Sequence, residues 1–322
     1  MQIELKQQIA TEAAEYAKAH KLSNNDVAKA TGVNTGYISN IFRGQFSNEV
    51  SGKDVPIGDT HFYKLAHWAG VAVKKQYWKI MQTLQFKEIL AVLLDSKKHP
   101  RAFMIINDTG AGKTTAINVF TNKMPQHTYR ITVGDSYKIE DIVSELAEKI
   151  GVDKSQFTKH MRYFGLKNRI DLITDKLIEI KHSGGQPVII LDEAENLKPN
   201  VLRTVKELYD AIIEHCSIVL IGTEQILEAM LNKRNRNRIA VPQIYRRFKA
   251  GTRVITPINK ARDFTPFYNE YGMNKTFGEL VNVLADNYGE LHDYLEPVMR
   301  YADVNGQKFT MELFKMYHNI QN

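Results

Sequence analysis

Gly110, Gly112, Lys113 and Thr114 are the residues whose types and spacing are most typical of a chemical site. Glycines let the backbone wrap closely around a polyphosphate, so that successive N–H groups point at its oxygens. The ammonium group of Lys113 would reach the β- and γ-phosphates, and the hydroxyl of Thr114 occupies the position that ligates Mg²⁺ in such loops. The spacing therefore predicts a loop that binds ATP together with Mg²⁺.

The sequence on both sides of this loop supports the same interpretation. An apolar run at 102–106 predicts a strand, and the pattern after Lys113 predicts a helix whose amino terminus adds partial positive charge. Asn107 stands where the usual pattern has a glycine. Asparagine is among the few other residues that tolerate a positive φ, so we expect the turn to form. The predicted nucleotide-binding residues are Asn107, Asp108, Thr109, Gly110, Ala111, Gly112, Lys113, Thr114 and Thr115.

A second candidate cluster follows the apolar run 188–191, which predicts a strand buried on both faces of a parallel sheet. Asp192, at the end of that strand, is predicted to hold Mg²⁺, usually through water, and Glu193 to polarise the attacking water. Thr223 ends another apolar run, where its hydroxyl is positioned to contact the γ-phosphate. A threonine that only satisfies a turn is the alternative for Thr223.

Apolar periodicity predicts the elements that would position these residues. Strands are expected at 128–133, 217–223 and 253–255, and helices at 139–150, 166–182 and 199–216. Strands that alternate with helices predict a parallel, helix-covered α/β sheet. The segment 71–98 is predicted to be helical, with its methionine and aromatic residues in the core. Residues 257–322 predict a helical lid that ends in a helix at 309–320.

The first 70 residues predict a small all-α domain. Helical patterns at 9–17, 26–31 and 37–44 have the spacing of a helix-turn-helix, in which Gly32 permits the tight turn. A helix is expected at 60–69, and the polar stretch 47–58 is expected to be a loop.

This segment resembles the repressor-type helix-turn-helix family, over about residues 9 to 68. The resemblance implies that the second helix of the motif lies in the major groove of double-stranded DNA. A helical bundle used for protein contacts is the alternative. The residues then predicted to contact DNA are Asn34, Thr35, Tyr37, Ser39, Asn40 and Arg43.

Composition narrows the classes of partner. The net charge of +7 over 322 residues raises the expectation of a polyanionic partner. The single cysteine, Cys216, excludes an internal disulfide and fits a reducing compartment. No stretch approaches the ~18 apolar residues of a membrane span and no signal peptide is apparent, so we expect a cytoplasmic protein without a membrane partner. A basic run without acidic residues is a candidate contact to a phosphate backbone, or else a solvated loop: Lys233, Arg234, Arg236 and Arg238.

The phosphate loop, the acidic pair, the polar strand end and the sequence Arg246-Arg247-Phe248 together resemble the AAA+ ATPases over roughly residues 80 to 322. The resemblance implies that Thr223 is the sensor-1 residue. It also implies that Arg247, or Arg246, is an arginine finger that reaches the nucleotide of a neighbouring subunit. The sensor-2 arginine, which related proteins carry at the start of a lid helix, is missing here. His292 lies in that stretch, and Arg300 is a further candidate.

A helix-turn-helix domain before a small AAA+ ATPase is similar to the transposition ATPases of the phage Mu B type. The resemblance implies a protein of the bacterial host cell that assembles with ATP on double-stranded DNA as an oligomer or helical filament, selects target DNA and activates a transposase. The predicted domains are a helix-turn-helix domain at 1–70, a helical linker at 71–98, the nucleotide-binding core at 99–256 and the lid at 257–322. A helicase loader or replication initiator, and an ATP-switched transcriptional regulator, remain alternatives.

Overall fold

The structure, a computed structural model, describes residues 3–50, 53–71, 77–153, 165–231 and 241–321. The chain divides into two compact units, Met1–Tyr77 and Trp78–Asn322. The finer division expected from the sequence, with boundaries after residues 70, 98 and 256, stays a prediction. Across the described ranges, no helix is both long enough and apolar enough to cross a membrane.

The first unit packs helices and a two-stranded hairpin around one apolar core. Its elements are α1 (Ile3–Ala19), α2 (Asn24–Thr31), α3 (Thr35–Phe42), β1 (Ser47–Val50), β2 (Lys53–Pro56) and α4 (Asp59–Ala69). Ser23 begins α2 by capping the backbone N–H of Asp26, and Gly32 ends it in the left-handed region that glycine adopts without strain. Ile38 and Phe62 are fully buried among these helices, and α2 and α3 lie close to the helices predicted at 26–31 and 37–44; the helix-turn-helix function of this unit stays a prediction.

The expected loop at 47–58 contains the hairpin instead, so the prediction of a loop there, and of an all-α unit, was wrong. Strands β1 and β2 pair antiparallel from Ser47 opposite Pro56 to Val50 opposite Lys53. Their side chains are mostly polar and gave no strand signal. Ile57 is buried in the core and its N–H donates to the Phe46 carbonyl at 2.8 Å, which closes the base of the hairpin. Tertiary anchoring at its base therefore overrides the local polar pattern.

The second unit is built on a parallel sheet covered by helices. Its first elements are α5 (Leu84–Lys98), β3 (Ala102–Ile106), α6 (Lys113–Lys123), β4 (Thr128–Thr132), α7 (Ile139–Ile150), α8 (Gly165–His182), β5 (Val188–Asp192), α9 (Pro199–Ile212), β6 (Ser217–Gly222), α10 (Glu224–Leu231), α11 (Val241–Phe248) and β7 (Thr252–Val254). The strand order is β4-β5-β6-β3-β7, and every neighbouring pair is parallel. Strands β3, β5 and β6 are buried along their whole length, which confirms the predicted α/β fold.

Helices form the rest of this unit, as predicted: α12 (Lys260–Asp263), α13 (Thr265–Glu270), α14 (Lys275–Leu284), α15 (Tyr288–Val304) and α16 (Met311–Tyr317). The last helix is shorter than the expected 309–320, because Thr310 caps its start and Asn319 takes a positive φ after its end. The predicted helix over 71–98 was also too long. Residues 77–83 are not helical, and the side chain of Thr83 starts α5 by capping the N–H of Phe86; residues 72–76 lie outside the described ranges.

Candidate functional site

Three neighbouring strands bring the predicted phosphate loop, acidic pair and sensor threonine together at the carboxyl ends of the strands. The strands β5, β6 and β3 are adjacent, and they end at Asp192, Gly222 and Ile106. Parallel strands place their carboxyl ends together, which is where open α/β sheets bind ligands. Residues far apart in the sequence therefore meet at one site.

The loop between β3 and α6 has the backbone geometry that a phosphate cradle requires. Gly110 and Gly112 have φ values of +73° and +83°, a region that other residues rarely adopt. Within the described part of the chain, the backbone N–H groups of Gly110, Gly112 and Lys113 donate no hydrogen bond. Free N–H groups at the start of a helix attract an anion, so the loop fits a polyphosphate.

Asn107 takes part in this loop in a different way from the one expected. It has no positive φ. Its N–H donates to the Gly222 carbonyl of β6 at 3.0 Å, and its Oδ1 accepts the N–H of Asp108 at 2.9 Å. Asn107 therefore extends the sheet by one residue and fixes the start of the loop through its side chain.

Lys113 is folded back onto the loop that it is predicted to serve. Its ammonium group donates to the carbonyls of Asn107 at 2.9 Å and Asp108 at 2.8 Å. Burial lowers the pKa of this ammonium group, and the charges of nearby carboxylates, Glu195 first and Asp192 next, oppose that shift. The ammonium group of Lys113 is thus surrounded by acidic groups. A bound phosphate would be a stronger hydrogen-bond acceptor for it than the two carbonyls are.

Two buried polar atoms at the site have no hydrogen-bond partner within the described residues: Nδ2 of Asn107 and Oγ1 of Thr223. Buried donors left without a partner are unfavourable, and they are commonly satisfied by a ligand or water. Both atoms lie where the loop meets the end of β6. Together with the free N–H groups of the loop, they show that the site fits a phosphate group.

Asp192 is almost fully buried, at 2% exposure, and it is already paired with a cation. Its Oδ2 accepts from Nη2 of Arg130, on the adjacent strand β4, at 2.6 Å. Nη1 of the same arginine donates to Asn118, which lies one turn beyond Thr114 on α6. Arg130 therefore links the two elements that carry the predicted magnesium ligands, a connection that the sequence analysis missed.

The residues present fit a magnesium ion held mainly by phosphate and water. No group of three or more His, Cys, Asp or Glu within the described ranges could hold a metal ion. Magnesium in phosphate-transfer sites typically uses only one or two protein ligands. Thr114, which is exposed at the start of α6, and Asp192, acting through water, would hold it; the ion would then neutralise phosphate charge.

Glu193 is exposed directly after Asp192, and its backbone has a φ of +55°. Its N–H donates to Oδ1 of Asp192 at 3.1 Å. A non-glycine residue in this conformation is strained, and such strain is concentrated at functional sites. The geometry leaves the carboxylate of Glu193 free to meet a water molecule at the mouth of the site.

A small, largely aromatic recess lies beside the phosphate loop. Trp78 stacks on Phe267 with ring centroids 4.8 Å apart, and Tyr288 donates a hydrogen bond to Gln85 at 2.7 Å. Trp78 was expected to lie in the core and Phe267 and Tyr288 in the lid, and contacts between distant parts of the sequence bring all three to the loop. A flat apolar pocket next to a phosphate cradle fits a nucleotide base. The pocket is lined by Trp78, Ile80, Met81, Thr83, Phe86, Ala111, Gly112, Thr115, Phe267 and Tyr288.

Comparison with known proteins agrees with this geometry. Residues 96–231 match the family model described as the AAA domain. The sequence of this part of the chain is therefore similar to AAA domains. No curated protein matches the sequence.

Solved structures show the same fold at low identity. Cdc6p from Pyrobaculum aerophilum has a TM-score of 0.50 and 16% identity, over 72% of this chain and 66% of that one. The Walker-type ATPase Paby2304 of Pyrococcus abyssi has a TM-score of 0.50 and 17% identity, over 72% of this chain and 70% of that one. This chain thus spans slightly less than two thirds of the Cdc6p chain. At such identities the likeness establishes the fold alone.

The start of lid helix α15 packs directly on the phosphate loop. The N–H of Gly289 donates to the Gly110 carbonyl at 3.2 Å, and a Cβ atom on Gly110 would clash with the side chain of Asn287. The two sensor-2 candidates make other contacts. Arg300 is paired with Glu296 one turn away, at 2.6 Å, and His292 packs edge-on against Trp78. The lid meets the loop through Asn287, Tyr288 and Gly289.

The two candidate arginine fingers, on α11, have different surroundings. Arg247 holds the carboxylate of Asp210 on α9 with Nε and Nη2, the second at 2.8 Å, and its Nη1 donates to the Gln243 carbonyl at 3.0 Å. Arg246 is exposed, and it donates no hydrogen bond to any residue in the described ranges. Arg246 is therefore the one available to a partner, while Arg247 joins α11 to α9.

The candidate DNA-binding residues of α3 in the first unit are partly engaged with that unit. Asn34 caps the start of α3, and Arg43, at its end, is exposed and donates to Ser39 at 2.5 Å. Asn40 uses both amide hydrogens on the hairpin, to the Ser47 carbonyl at 3.3 Å and to Asn48 at 3.1 Å.

Thr35 and Tyr37, two further candidates on α3, make weaker contacts within the unit. Thr35 donates to Asn25 at 3.4 Å, and the ring of Tyr37 packs on His61 with centroids 5.0 Å apart. The DNA contacts of α3 remain a proposal. The basic run with Lys233, Arg234, Arg236 and Arg238 lies outside the described residues.

Proposed function

We propose that this protein binds and hydrolyses ATP with Mg²⁺ and binds double-stranded DNA in an ATP-dependent, largely sequence-nonspecific manner. The observation that carries the ATPase proposal is the site where β5, β6 and β3 end. Free N–H groups, Lys113 and two side-chain atoms without a partner in the described ranges, Nδ2 of Asn107 and Oγ1 of Thr223, converge there beside the buried carboxylate of Asp192. Preorganised donors aimed at phosphate oxygens are the main catalytic device of phosphoryl-transfer enzymes.

The DNA-binding part of the proposal rests on the first unit and on charge. A helix-turn-helix with an exposed Arg43 suits a phosphate-lined groove, and the chain carries a net charge of +7. We further propose that ATP bridges neighbouring subunits, so that an oligomer or filament on DNA selects target DNA and activates a transposase. Hydrolysis of the bridging ATP would then release the assembly.

The test of the ATPase is the substitution Lys113→Ala. We expect at least a tenfold loss of ATP affinity or turnover, because the ammonium group that lies on the phosphate loop is removed. Glu193→Gln should retain ATP but hydrolyse it at least a hundredfold more slowly, since a carboxylate that polarises water is lost. Binding of a fluorescent ATP analogue and release of phosphate measure both. Wild-type rates in both variants would exclude this site.

The test of the DNA-binding part is electron microscopy of the protein on duplex DNA, with and without ATP and Mg²⁺. Filaments or oligomers that form only with nucleotide, and that Lys113→Ala fails to form, support the proposal. Equal binding without ATP contradicts it. Affinity should fall steeply with rising salt, since counterions are released from DNA on binding.

The replication-initiator or helicase-loader alternative shares this fold, and the likeness to Cdc6p extends to fold alone. Pull-down with a transposase and with a replicative helicase separates the two proposals. A transcriptional regulator would instead prefer one promoter fragment over bulk DNA by roughly a thousandfold or more.

A further inference from the structure

Glu195 is an acidic residue at the candidate site to which the predicted chemistry gives no role. It lies in a single 3₁₀ turn, Ala194–Asn196, immediately after the strand that carries Asp192. Its Oε2 accepts the backbone N–H of Thr223 at 3.3 Å. This bond joins the 3₁₀ turn that follows β5 to the residue after β6, across two adjacent strand ends.

The neighbouring strand leaves space for this contact. Gly222 is the last residue of β6, and a Cβ atom built there would overlap with Oε2 of Glu195 and approach its backbone N to 3.2 Å. A larger residue at this position would displace the carboxylate. The absence of a side chain at Gly222 is therefore what permits Glu195 to reach Thr223.

The partner of Glu195 is the residue whose hydroxyl is unsatisfied. Oγ1 of Thr223 is buried and has no hydrogen-bond partner in the described ranges, while its backbone N–H is fixed by Glu195. Among the carboxylates that oppose the lowering of the Lys113 pKa, Glu195 has the largest effect. Lys113 is the other group expected to contact the phosphate. Glu195 thus holds the backbone of one of the two groups that would contact a terminal phosphate.

We propose that Glu195 is a positioning residue, whose carboxylate fixes the backbone of Thr223 so that the threonine hydroxyl faces the terminal phosphate of the nucleotide. The inference rests on the proposed ATPase function. Glu195 acts as a hydrogen-bond acceptor and transfers no proton. The proton-transfer role stays with Glu193, which is exposed at the mouth of the site.

An acceptor role and a charge role predict different results for two substitutions. Glu195→Gln keeps an oxygen that accepts the Thr223 N–H, whereas Glu195→Ala removes it. If Glu195 positions Thr223, glutamine should restore most of the rate that alanine loses. If its charge or its proton matters, glutamine should be as slow as alanine.

The experiment measures kcat, ATP affinity and melting temperature for Glu195→Ala, Glu195→Gln and Gly222→Ala, with the exposed Glu207→Ala on α9 as the matched control. We expect kcat to fall about tenfold to a hundredfold in Glu195→Ala and Gly222→Ala, with ATP affinity changed by less than about threefold, because a misplaced group affects the transition state more than binding. In a Thr223→Ala background, Glu195→Ala should cause little further loss.

Amide hydrogen exchange gives a readout that needs no nucleotide. The Thr223 N–H should exchange faster in Glu195→Ala than in the wild type and in Glu195→Gln, since its acceptor is removed. Unchanged exchange and unchanged kcat in Glu195→Ala overturn the inference, and so does a glutamine variant as slow as alanine. If the wild type hydrolyses ATP and Lys113→Ala does not, those results reject Glu195 alone. If neither hydrolyses ATP, the proposed function fails, and the role of Glu195 fails with it.

Discussion

Arg130 places a fixed positive charge where the candidate site is most acidic. Its guanidinium group spans Asp192 on β5 and Asn118 on α6, so it holds the strand and the helix that frame the phosphate loop. A carboxylate as buried as that of Asp192 is unfavourable without a cation beside it. We therefore regard Arg130 as the group that balances Asp192 before magnesium binds.

Removing this arginine should destabilise the nucleotide-free protein more than the nucleotide-bound one. Arg130→Ala leaves Asp192 without its cation, and loss of one partner of a buried pair costs about 3 kcal/mol of the free energy of unfolding. ATP with Mg²⁺ should raise the melting temperature of this variant more than that of the wild type, because the metal ion supplies the missing charge. Thermal unfolding with ATP plus Mg²⁺, and with ATP plus a chelator, measures the difference.

Arg101→Ala serves as the control for this prediction. Arg101 forms an exposed ion pair with Asp95, and exposed pairs contribute less than about 1 kcal/mol. If Arg130→Ala were no less stable than Arg101→Ala, the view of Arg130 as a necessary counter-charge would be wrong.

Residues that belong to a local pattern could be predicted from sequence, and residues that need the sheet could not. Asp192 and Thr223 lie at the ends of apolar runs, and Lys113 follows the two glycines of the loop, so these candidates could be chosen from spacing alone. Arg130 reaches Asp192 only because β4 pairs with β5 in the register that sets Thr132 beside Asp192. Trp78 required the lid to fold back over the loop. Neither contact leaves a periodic signal in the sequence.

At the scale of elements, a buried lysine anchors α5 at the end of the sheet where β4 and β5 begin. Lys97, in the last turn of α5, donates to the carbonyls of Gln126 at 2.6 Å and Gln186 at 2.9 Å. These carbonyls belong to the segments that lead into β4 and β5. One ammonium group thus joins the end of a helix to the segments that precede two strands. Its burial lowers the pKa of Lys97 to about 8.

This shift predicts how stability depends on pH. The unfolded chain protonates Lys97 with an ordinary pKa near 10.5, so between about pH 8 and pH 10.5 the unfolded state binds more protons than the folded state. The contribution of Lys97 to stability is therefore fully present above that window and is lost as the pH falls through 8. The free energy of unfolding of the wild type, relative to Lys97→Met, should be larger at pH 10 than at pH 7.

Denaturant titrations at the two pH values measure this difference, with Lys98→Met, an exposed lysine of the same helix, as the control for lost charge. A difference between wild type and Lys97→Met that stays constant from pH 7 to pH 10 would contradict the assigned shift. The same titrations report how firmly α5 is anchored, because methionine leaves the two carbonyls without their donor.

Elements with strong periodicity were predicted closely, and those fixed by tertiary contacts were not. The helix at Ile139–Ile150 ends at Gly151 as expected, because amphipathic spacing and a left-handed glycine coincide. The sequence of the hairpin at Ser47–Pro56 has no apolar alternation, and its turn residues alone do not predict two paired strands. Its base is closed by Ile57 and by the amide of Asn40 from α3, both non-local contacts.

At the scale of the whole molecule, ATP that bridges neighbouring subunits, as proposed, would make hydrolysis depend on contacts between copies. Arg247 is engaged with Asp210 in its own subunit, whereas Arg246 is exposed on the same helix. An arginine that completes a neighbour's site makes hydrolysis depend on assembly. The structure therefore favours Arg246 for the contact in trans, and Arg247 for the stability of α11 against α9.

Mixing variants tests this division of roles. Arg246→Ala should lower ATP turnover at least tenfold without lowering the melting temperature, since only a charge supplied to a neighbour is lost. Arg247→Ala should lower the melting temperature, because it frees α11 from α9.

Subunits with Lys113→Ala cannot use their own site but still present Arg246, and subunits with Arg246→Ala have an intact site. A mixture of the two inactive variants should therefore recover part of the wild-type turnover, which neither regains alone at the same total concentration. Recovery in the mixture of Lys113→Ala with Arg247→Ala, and none with Arg246→Ala, would instead assign the finger to Arg247 and require its bond to Asp210 to open on assembly.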